Sequence, residues 1–390
     1  MILLHTADWQ LGKPFAGIDD PQKRALVQQE RLAAIARIAE AARAAEAKCV
    51  LIAGDLFDSR TPTKATVSAA CSALGALRVP IFAIPGNHDH GGPGGLWEQP
   101  FFLQEQAQLA PNLRVFLEPK PFELDDLVIF PCPLRHRHEA HDPTTWLRDL
   151  AFAQFGGKLR VVLAHGSVQG FTSAGEDEHD GGAAPNQIDL TRLPEAQLDY
   201  IALGDWHGMK QAGAKAWYSG TPELDRFSKG GDHAQGRALV VDVQRGAPPR
   251  ISPVSTARFG WHRIEHSFSD DASLAPLEAR MESLLGGRAG EDLVRLELSG
   301  SLGLEAMTQL ERLLETWSAR LLRLRLVNHA IAAPSEAELA ALTQRAGDPL
   351  ISRVAQKLAT EAAAGGDDAA VARMALRELH AACAGSAASA

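Results

Sequence analysis

"CVLIAGDLFD", residues 49–58, decides the fold: an apolar run, a glycine, then two acids within four residues. A short run without polar alternation suits a strand buried on both faces, as in a layered α/β domain. The polar residues then lie where the chain leaves the sheet. Moving outward, "ILLHTAD", "IFAIPGN", "LVIFPCP", "RVVLAHG", "YIALGD" and "RALVVDV" read as further strands. Residues 21–47 and 63–77 carry apolar residues at helical spacing between them. The chain from residue 1 to about 255 therefore alternates strands and helices in layers.

A chain of 390 residues has room for two or three domains, and 45% hydrophobic with 22% charged residues is ordinary for a globular protein. No apolar run approaches the ~20 residues of a membrane helix. "MILLHTAD" lacks the basic region and cleavage site of a secretory leader. Four scattered cysteines without a C-x-x-C pair argue against a zinc knuckle or disulfide framework and suit a reducing cytoplasm. A net charge of −9 does not advertise nucleic-acid binding, although a local patch or bound cations can reverse the field at one site.

The texture changes after about residue 256. "WHRIEHSF", "EDLVRLELSG" and "RLLRLRLV" read as strands, with helices expected over 273–286 and 303–318. From residue 334 the chain is Ala-rich and helical, interrupted by "AAAGGDDAA" and ending in "AGSAASA", which composition marks as disordered. The expected division is 1–256, 257–333 as a small α+β unit, and 334–390 as a helical segment. Residues 167–190 form a long Gly-rich, acidic loop.

The chemistry lies at the strand ends. "HTADWQ" supplies Asp8 and Gln10; "AGDLFD" supplies Asp55 and Asp58; "PGNHD" supplies Asn87, His88 and Asp89. "LAHG" supplies His165, and "LGDWHG" supplies Asp205 and His207. A single acid after a strand most often caps a turn or helix. Five apolar runs ending in acids, amides or imidazoles are another matter, because strand ends in layered α/β folds share one rim. His5, inside the first strand, reads as a structural support. His90, His136, His138, His141 and His179 read as solvated loop residues, and Trp9 and Trp206 as packing beside the site.

This set resembles the calcineurin-like metallophosphoesterases, whose motifs run D-x-H, G-D-x-x-(D/H), G-N-H-(D/E), a lone H, and G-H-x-H. Order and spacing agree over about residues 1–225. Within that superfamily, "LLHTADWQLGK", "GDLFDSRTPT" and "YSGTPE" look most like SbcD-type DNA repair exonucleases. The resemblance implies a four-layer sandwich of two mixed β-sheets flanked by helices, with a small α+β capping domain and C-terminal helices. It implies two divalent metal ions: one held by Asp8, Gln10, Asp55 and His207, the other by Asp55, Asn87, His165 and Asp205. His88 is implied as the general acid, oriented by Asp58. Arg60, Lys64 and Arg226 are candidates for substrate phosphates.

Two positions depart from the pattern. Gln10 stands where the first motif has His, and Asp205 where the last motif has its first His. The exchange replaces imidazoles by hard oxygen donors, which favours manganese or magnesium over zinc. Asp8, Asp55 and Asp205 then set three negative charges against four positive ones, leaving +1 where the family pattern leaves +2. The resemblance implies a cytoplasmic Mn-dependent nuclease acting on DNA beside an SbcC-like coiled-coil ATPase, and leaves homodimer formation open. The candidate docking face is Leu350, Ile351, Val354 and Leu358, with Val371, Met374, Leu376 and Leu379 beyond it. A phosphoesterase of a smaller diester or phosphoprotein, and a catalytically weak DNA-end scaffold, are the competing expectations.

Overall fold

The computed structural model describes all residues except 169–184, 228–233, 334, 346, 365–366 and 388–390. Most of the acidic loop, with His179, thus lies outside the described residues. The chain divides into two compact units, Met1–Phe259 and Gly260–Ala390.

The first unit begins with β1 (Ile2–Thr6), β2 (Val50–Ala53), β3 (Ile81–Ile84) and β4 (Leu113–Val115), parallel and adjacent in that order. The chain then builds a second sheet from β5 (Phe122–Glu123), β6 (Leu127–Cys132) and β7 (Leu159–His165). A short pair, β8 (Ser167–Val168) with β9 (Gln187–Ile188), flanks the undescribed loop. The second sheet continues with β10 (Tyr200–Gly204), β11 (Lys210–Gln211) and β12 (Ala216–Tyr218). Its central strands β6, β7, β10 and β12 are parallel. Finally β13 (Arg237–Asp242) and β14 (Arg250–Ser255) return to the first sheet, antiparallel, on the free side of β1.

Side-chain alternation shows why the strands read as continuous apolar runs. In β2, Val50 and Ile52 face the helix-side core, whereas Leu51 and Ala53 face the core between the sheets. In β7, Val161 and Leu163 join that inter-sheet core, while Val162 and Ala164 face the opposite side. Both faces of each sheet are thus covered.

On the first sheet lie α1 (Pro21–Ala44) and α2 (Lys64–Gly75), followed by α3 (Pro100–Leu109). Pro21 opens α1 where a missing N–H costs nothing. The Asp20 carboxylate caps it by accepting from the N–H groups of Gln22 and Lys23 at 2.8 and 3.1 Å. Val27, Arg31, Ala34, Ile35 and Ile38 form its buried stripe. Among the described residues the outer face of the second sheet is covered by single-turn 3₁₀ segments, whose Leu147, Phe152 and Phe155 pack on Phe130 and Val162.

The second unit is a parallel sheet of β15 (Gly260–Phe268), β16 (Asp292–Leu302) and β17 (Arg323–Asn328), with β18 (Ile331–Ala332) extending β16. Helices α4 (Leu274–Leu285) and α5 (Leu304–Arg320) make the crossovers that parallel strands require. Both cover the face bearing Val294, Leu296 and Leu298. On the other face Glu297 pairs with Arg295 at 2.7 Å and Arg263 at 3.1 Å. The helices α6 (Glu336–Thr343), α7 (Pro349–Ala364) and α8 (Asp367–Ala387) close the unit around Leu304, Leu342, Ala355, Leu376 and Cys383. The last helix runs to Ala387, into the tail expected to be disordered, because alanine is the strongest helix former. Among the described residues no helix is long and apolar enough to cross a membrane, and all four cysteines are free and buried.

Candidate metal centre

The first unit brings the C-terminal ends of β1, β2, β3, β7 and β10 to one rim, as their parallel directions require. Asp8, Asp55 and His165 present ligand atoms within 4.8 Å of one another, and all three are buried. His165 Nε2 lies 3.7 Å from Asp55 Oδ1, 3.9 Å from Asp205 Oδ1 and 3.0 Å from Asn87 Oδ1. The Asp8 carboxylate accepts from the Asp205 N–H at 3.1 Å. Five residues from five strand ends therefore form one cluster.

The backbone is bent to make this possible. Asp8, Gln10, Asp55 and Asp205 have φ of 56°, 42°, 54° and 102°, half of the eight positive-φ non-glycine residues described. Such conformations cost about 1–3 kcal/mol each and persist where the surroundings enforce them. Gly54 is needed both for its φ of +91° and for space, since a Cβ there would sit 2.2 Å from His165 Nδ1. A Cβ on Gly86 would stand 2.1 Å from Asp55 Oδ1.

The ring of His165 has a fixed tautomer. Nδ1–H donates to the Ala53 carbonyl at 2.7 Å, leaving the Nε2 lone pair aimed into the cluster. Asn87 Oδ1 meets only acceptors there; turning the amide over would let its NH₂ donate to Asp55 Oδ2 and His165 Nε2, both at 3.0 Å. Converging acceptors of this kind are satisfied either by that NH₂ or by a cation. Three carboxylates, one carboxamide oxygen and one imidazole nitrogen make a donor set that fits a hard divalent ion. Without one, the cluster holds protons. Burial pushes the Asp8 carboxyl up to about 8, His165 opposing and Asp55 and Asp205 adding to the rise. Burial alone would lower His165, but Asp55, Asp8 and Asp205 outweigh it and lift the ring to about 9.

Gln10 and His207 stand beside this cluster in different company. Gln10 Oε1 accepts from Lys13 Nζ at 2.6 Å, and its Nε2 lies 3.5 Å from His207 Nε2. His207 Nδ1 is 3.0 Å from Asp225 Oδ2. An Arg226 guanidinium nitrogen lies 3.0 and 3.2 Å from the two ring nitrogens of His207. Burial holds His207 below its usual value, against the pull of Asp225. Burial would raise Asp225, but His207, Lys13 and Arg226 keep it ionised well below the usual range.

His88 lies next to Asp55: its N–H donates to Asp55 Oδ1 at 2.9 Å, and its Nε2 is 3.9 Å from Asp55 Oδ2. Asp58 reaches His88 mainly through its backbone. The ring Nδ1 is 2.9 Å from the Asp58 carbonyl oxygen and 3.9 Å from the carboxylate. Arg60 donates weakly to the Pro93 carbonyl at 3.5 Å, and Lys64 lies over the Phe101 ring at 5.2 Å. His5 is buried, hydrogen-bonded to the Tyr200 hydroxyl at 2.8 Å, and held neutral because burial lowers it to about 3.

Arg31 and Thr221 escaped the sequence reading as positioning residues, and Asp89 was named there at a strand end without a role. Buried Arg31 donates to the carbonyls of Trp9, Asp8 and Glu223. Thr221, in "YSGTPE", donates to the Asp8 carbonyl at 2.8 Å. Asp89 ties two motif loops together by accepting from Phe57 N–H at 3.0 Å and Gly86 N–H at 2.7 Å. A charged residue inside the apolar stripe of α1 was the available signal for Arg31.

A two-sheet α/β sandwich with an Asp/Asp/His cluster at its strand ends defines a metal-dependent phosphoester hydrolase as the class. The chain belongs to the calcineurin-like phosphoesterase family, whose model matches residues 1–228. Among solved structures, TT1561 of Thermus thermophilus is similar at 12% identity, over 65% of this chain and 98% of its own, with a TM-score of 0.40. A second solved chain is similar at 12% identity, over 63% of this chain and 99% of its own, with a TM-score of 0.35.

Proposed function

We propose that this chain is a Mn-dependent DNA phosphodiesterase, an exonuclease at DNA ends with single-strand endonuclease activity. In this reading it works in the cytoplasm beside an SbcC-like coiled-coil ATPase in DNA repair or processing. The observation that carries the reading is the convergence of Asp8, Asp55, Asn87, His165 and Asp205 on one rim, with His88 at its edge. Those residues would hold a divalent ion, which would supply Lewis acidity toward a phosphoryl oxygen and activate water as a nucleophile. Their oxygen-rich character favours manganese.

The residues of the chain do the rest. His88 donates its Nδ1–H to the Asp58 carbonyl, so Nε2 is the nitrogen that delivers a proton to the leaving oxygen. A positioned group of this kind contributes about 10²–10⁴ in rate. Arg31 and Thr221 hold the Asp8 loop, and Asp89 holds the Asn87–His88 turn against the Asp55 loop. Arg60 and Arg226 are the side chains assigned to DNA phosphates.

The DNA target is supported by the likeness of "LLHTADWQLGK", "GDLFDSRTPT" and "YSGTPE" to SbcD-type nucleases. The partner is supported by the apolar side chains exposed on α7 and α8, Leu350 at 73%, Val371 at 66% and Met374 at 60%, whereas Ile351, Leu358, Leu376 and Leu379 of the expected face pack into the unit's own core. Linear DNA incubated with manganese, with Asp55→Asn as control, tests the reading. Digestion by the parent alone upholds it. Binding without cleavage points instead to an end-binding scaffold, and turnover of only a small diester points to a smaller substrate.

A further inference from the structure

The two flanks of Asp55 differ in how their polar atoms are satisfied. On the His165 flank, three carboxylates and the Asn87 amide oxygen gather around His165 Nε2, a set that a proton, a turned Asn87 amide or an ion satisfies. On the Gln10 flank, the oxygen that would ligate is already held by the Lys13 ammonium, and Gln10 turns its amide nitrogen toward His207. The ring nitrogens of His207 are faced by Asp225 on one side and by the Arg226 guanidinium on the other.

We propose that Lys13 and Arg226 take the place of one of the two cations, so that the chain holds a single divalent ion and uses this pair to hold a phosphate oxygen. The proposal rests on the phosphodiesterase reading above and deepens it. A second divalent ion between Gln10 and His207 would stand beside an ammonium and a guanidinium, both already paired with Asp225. Lys13 and Arg226 bring two positive charges to this flank, paired with Asp225 and, for Lys13, facing Asp58 as well.

The pair is anchored where it is needed. The Gln10 N–H donates to the Asp55 carbonyl at 2.8 Å and Leu11 N–H to the Leu56 carbonyl at 3.0 Å, so the loop carrying Lys13 is zipped to the loop carrying Asp55. Lys13 Nζ and Arg226 Nε share Asp225, at 2.8 and 3.2 Å, which fixes both heads. Their side chains remain 22% and 43% exposed, within reach of an incoming anion. Arginine's planar fork suits two phosphate oxygens, and lysine acts as a point charge. The Gln10 substitution then has a physical sense: its amide oxygen seats the ammonium that replaces the ion.

The test counts metal and measures phosphate binding, with no turnover needed. The unmodified chain, dialysed against manganese, is expected to retain one Mn per chain, with the six-line electron paramagnetic resonance spectrum of an isolated ion. Two Mn per chain with an exchange-coupled spectrum overturns the proposal, and so does no bound Mn. Inorganic phosphate binding to the Mn-loaded chain is expected to weaken at least tenfold in Lys13→Gln and in Arg226→Gln, and to be unchanged in Lys120→Gln, whose exposed ammonium pairs with Glu118. Equal affinity in all four proteins overturns the phosphate half. One bound Mn with phosphate loss in both variants, but no cleavage of DNA, sinks the nuclease reading and leaves this inference standing.

Discussion

The His165 flank and the Gln10 flank of the rim are both polar and buried, yet one is a set of competing acceptors and the other a closed ring of matched donors and acceptors. Asp8, Asp55, Asn87, His165 and Asp205 lack a fixed positive charge of their own. Gln10, His207 and Asp225 have two, in Lys13 and Arg226. A census of hydrogen bonds thus separates the place that calls for an ion from the place where side chains supply the charge. Motif spacing treats the two flanks alike.

The contrast is broken most severely by removing the carboxylate at the centre of the His165 flank. Asp55→Asn is expected to abolish Mn retention and lower turnover by at least 10²–10³-fold, on the order expected when one electrostatic stabiliser is lost. Full Mn binding in that variant would mean the ion sits elsewhere. Next, His88→Ala is expected to lower kcat by about 10²–10³ while leaving Mn affinity unchanged, because His88 donates a proton and holds no ion. Parallel loss of Mn would make it a ligand instead.

The pH dependence sharpens the comparison on the His165 flank alone. Burial, with Asp55 and Asp205, raises Asp8 to about 8, so the metal-free folded chain keeps a proton that the unfolded chain has lost. Stability from that proton is present below the unfolded carboxyl pKa and is lost as pH rises through about 8. A divalent ion displaces the proton, so Mn affinity should climb by about tenfold per pH unit for each proton released. Thermal shifts at fixed Mn should therefore grow from pH 6 to about 9, as Asp8 and then His165 give up their protons, and level off above. A flat profile would remove Asp8 from the ion's ligands. The smallest effect is expected from Asp58→Asn, under about threefold in kcat with an unmoved pH–rate profile, since the hydrogen bond to His88 comes from the Asp58 backbone carbonyl. A displaced profile would restore the carboxylate as the orienting group.

The strands were legible because both faces of each sheet are covered, so that "VLIA" and "LVIF" read as unbroken apolar runs. Their ends were legible because glycine and acid follow the last buried residue at once. α3 was not singled out, although Pro100 sits at its start, because a ten-residue helix with one buried side chain leaves a weak periodicity. Lys13 and Asp225 were illegible for another reason. They meet across 212 residues of sequence, and a lysine following a glycine reads as an ordinary surface charge. Arg31 and Thr221 likewise act on backbone carbonyls, which no side-chain motif records. The role of Asp58 was placed on its carboxylate, where the closer contact is its carbonyl.

Everything depends on a cation lodging among side chains drawn from five strand ends, and anomalous diffraction from a crystal grown with manganese reads that directly. The account predicts one strong peak in contact with Asp8, Asp55, Asn87, His165 and Asp205, and none between Gln10 and His207. A peak on the Gln10 flank, or no peak near Asp55, would contradict it.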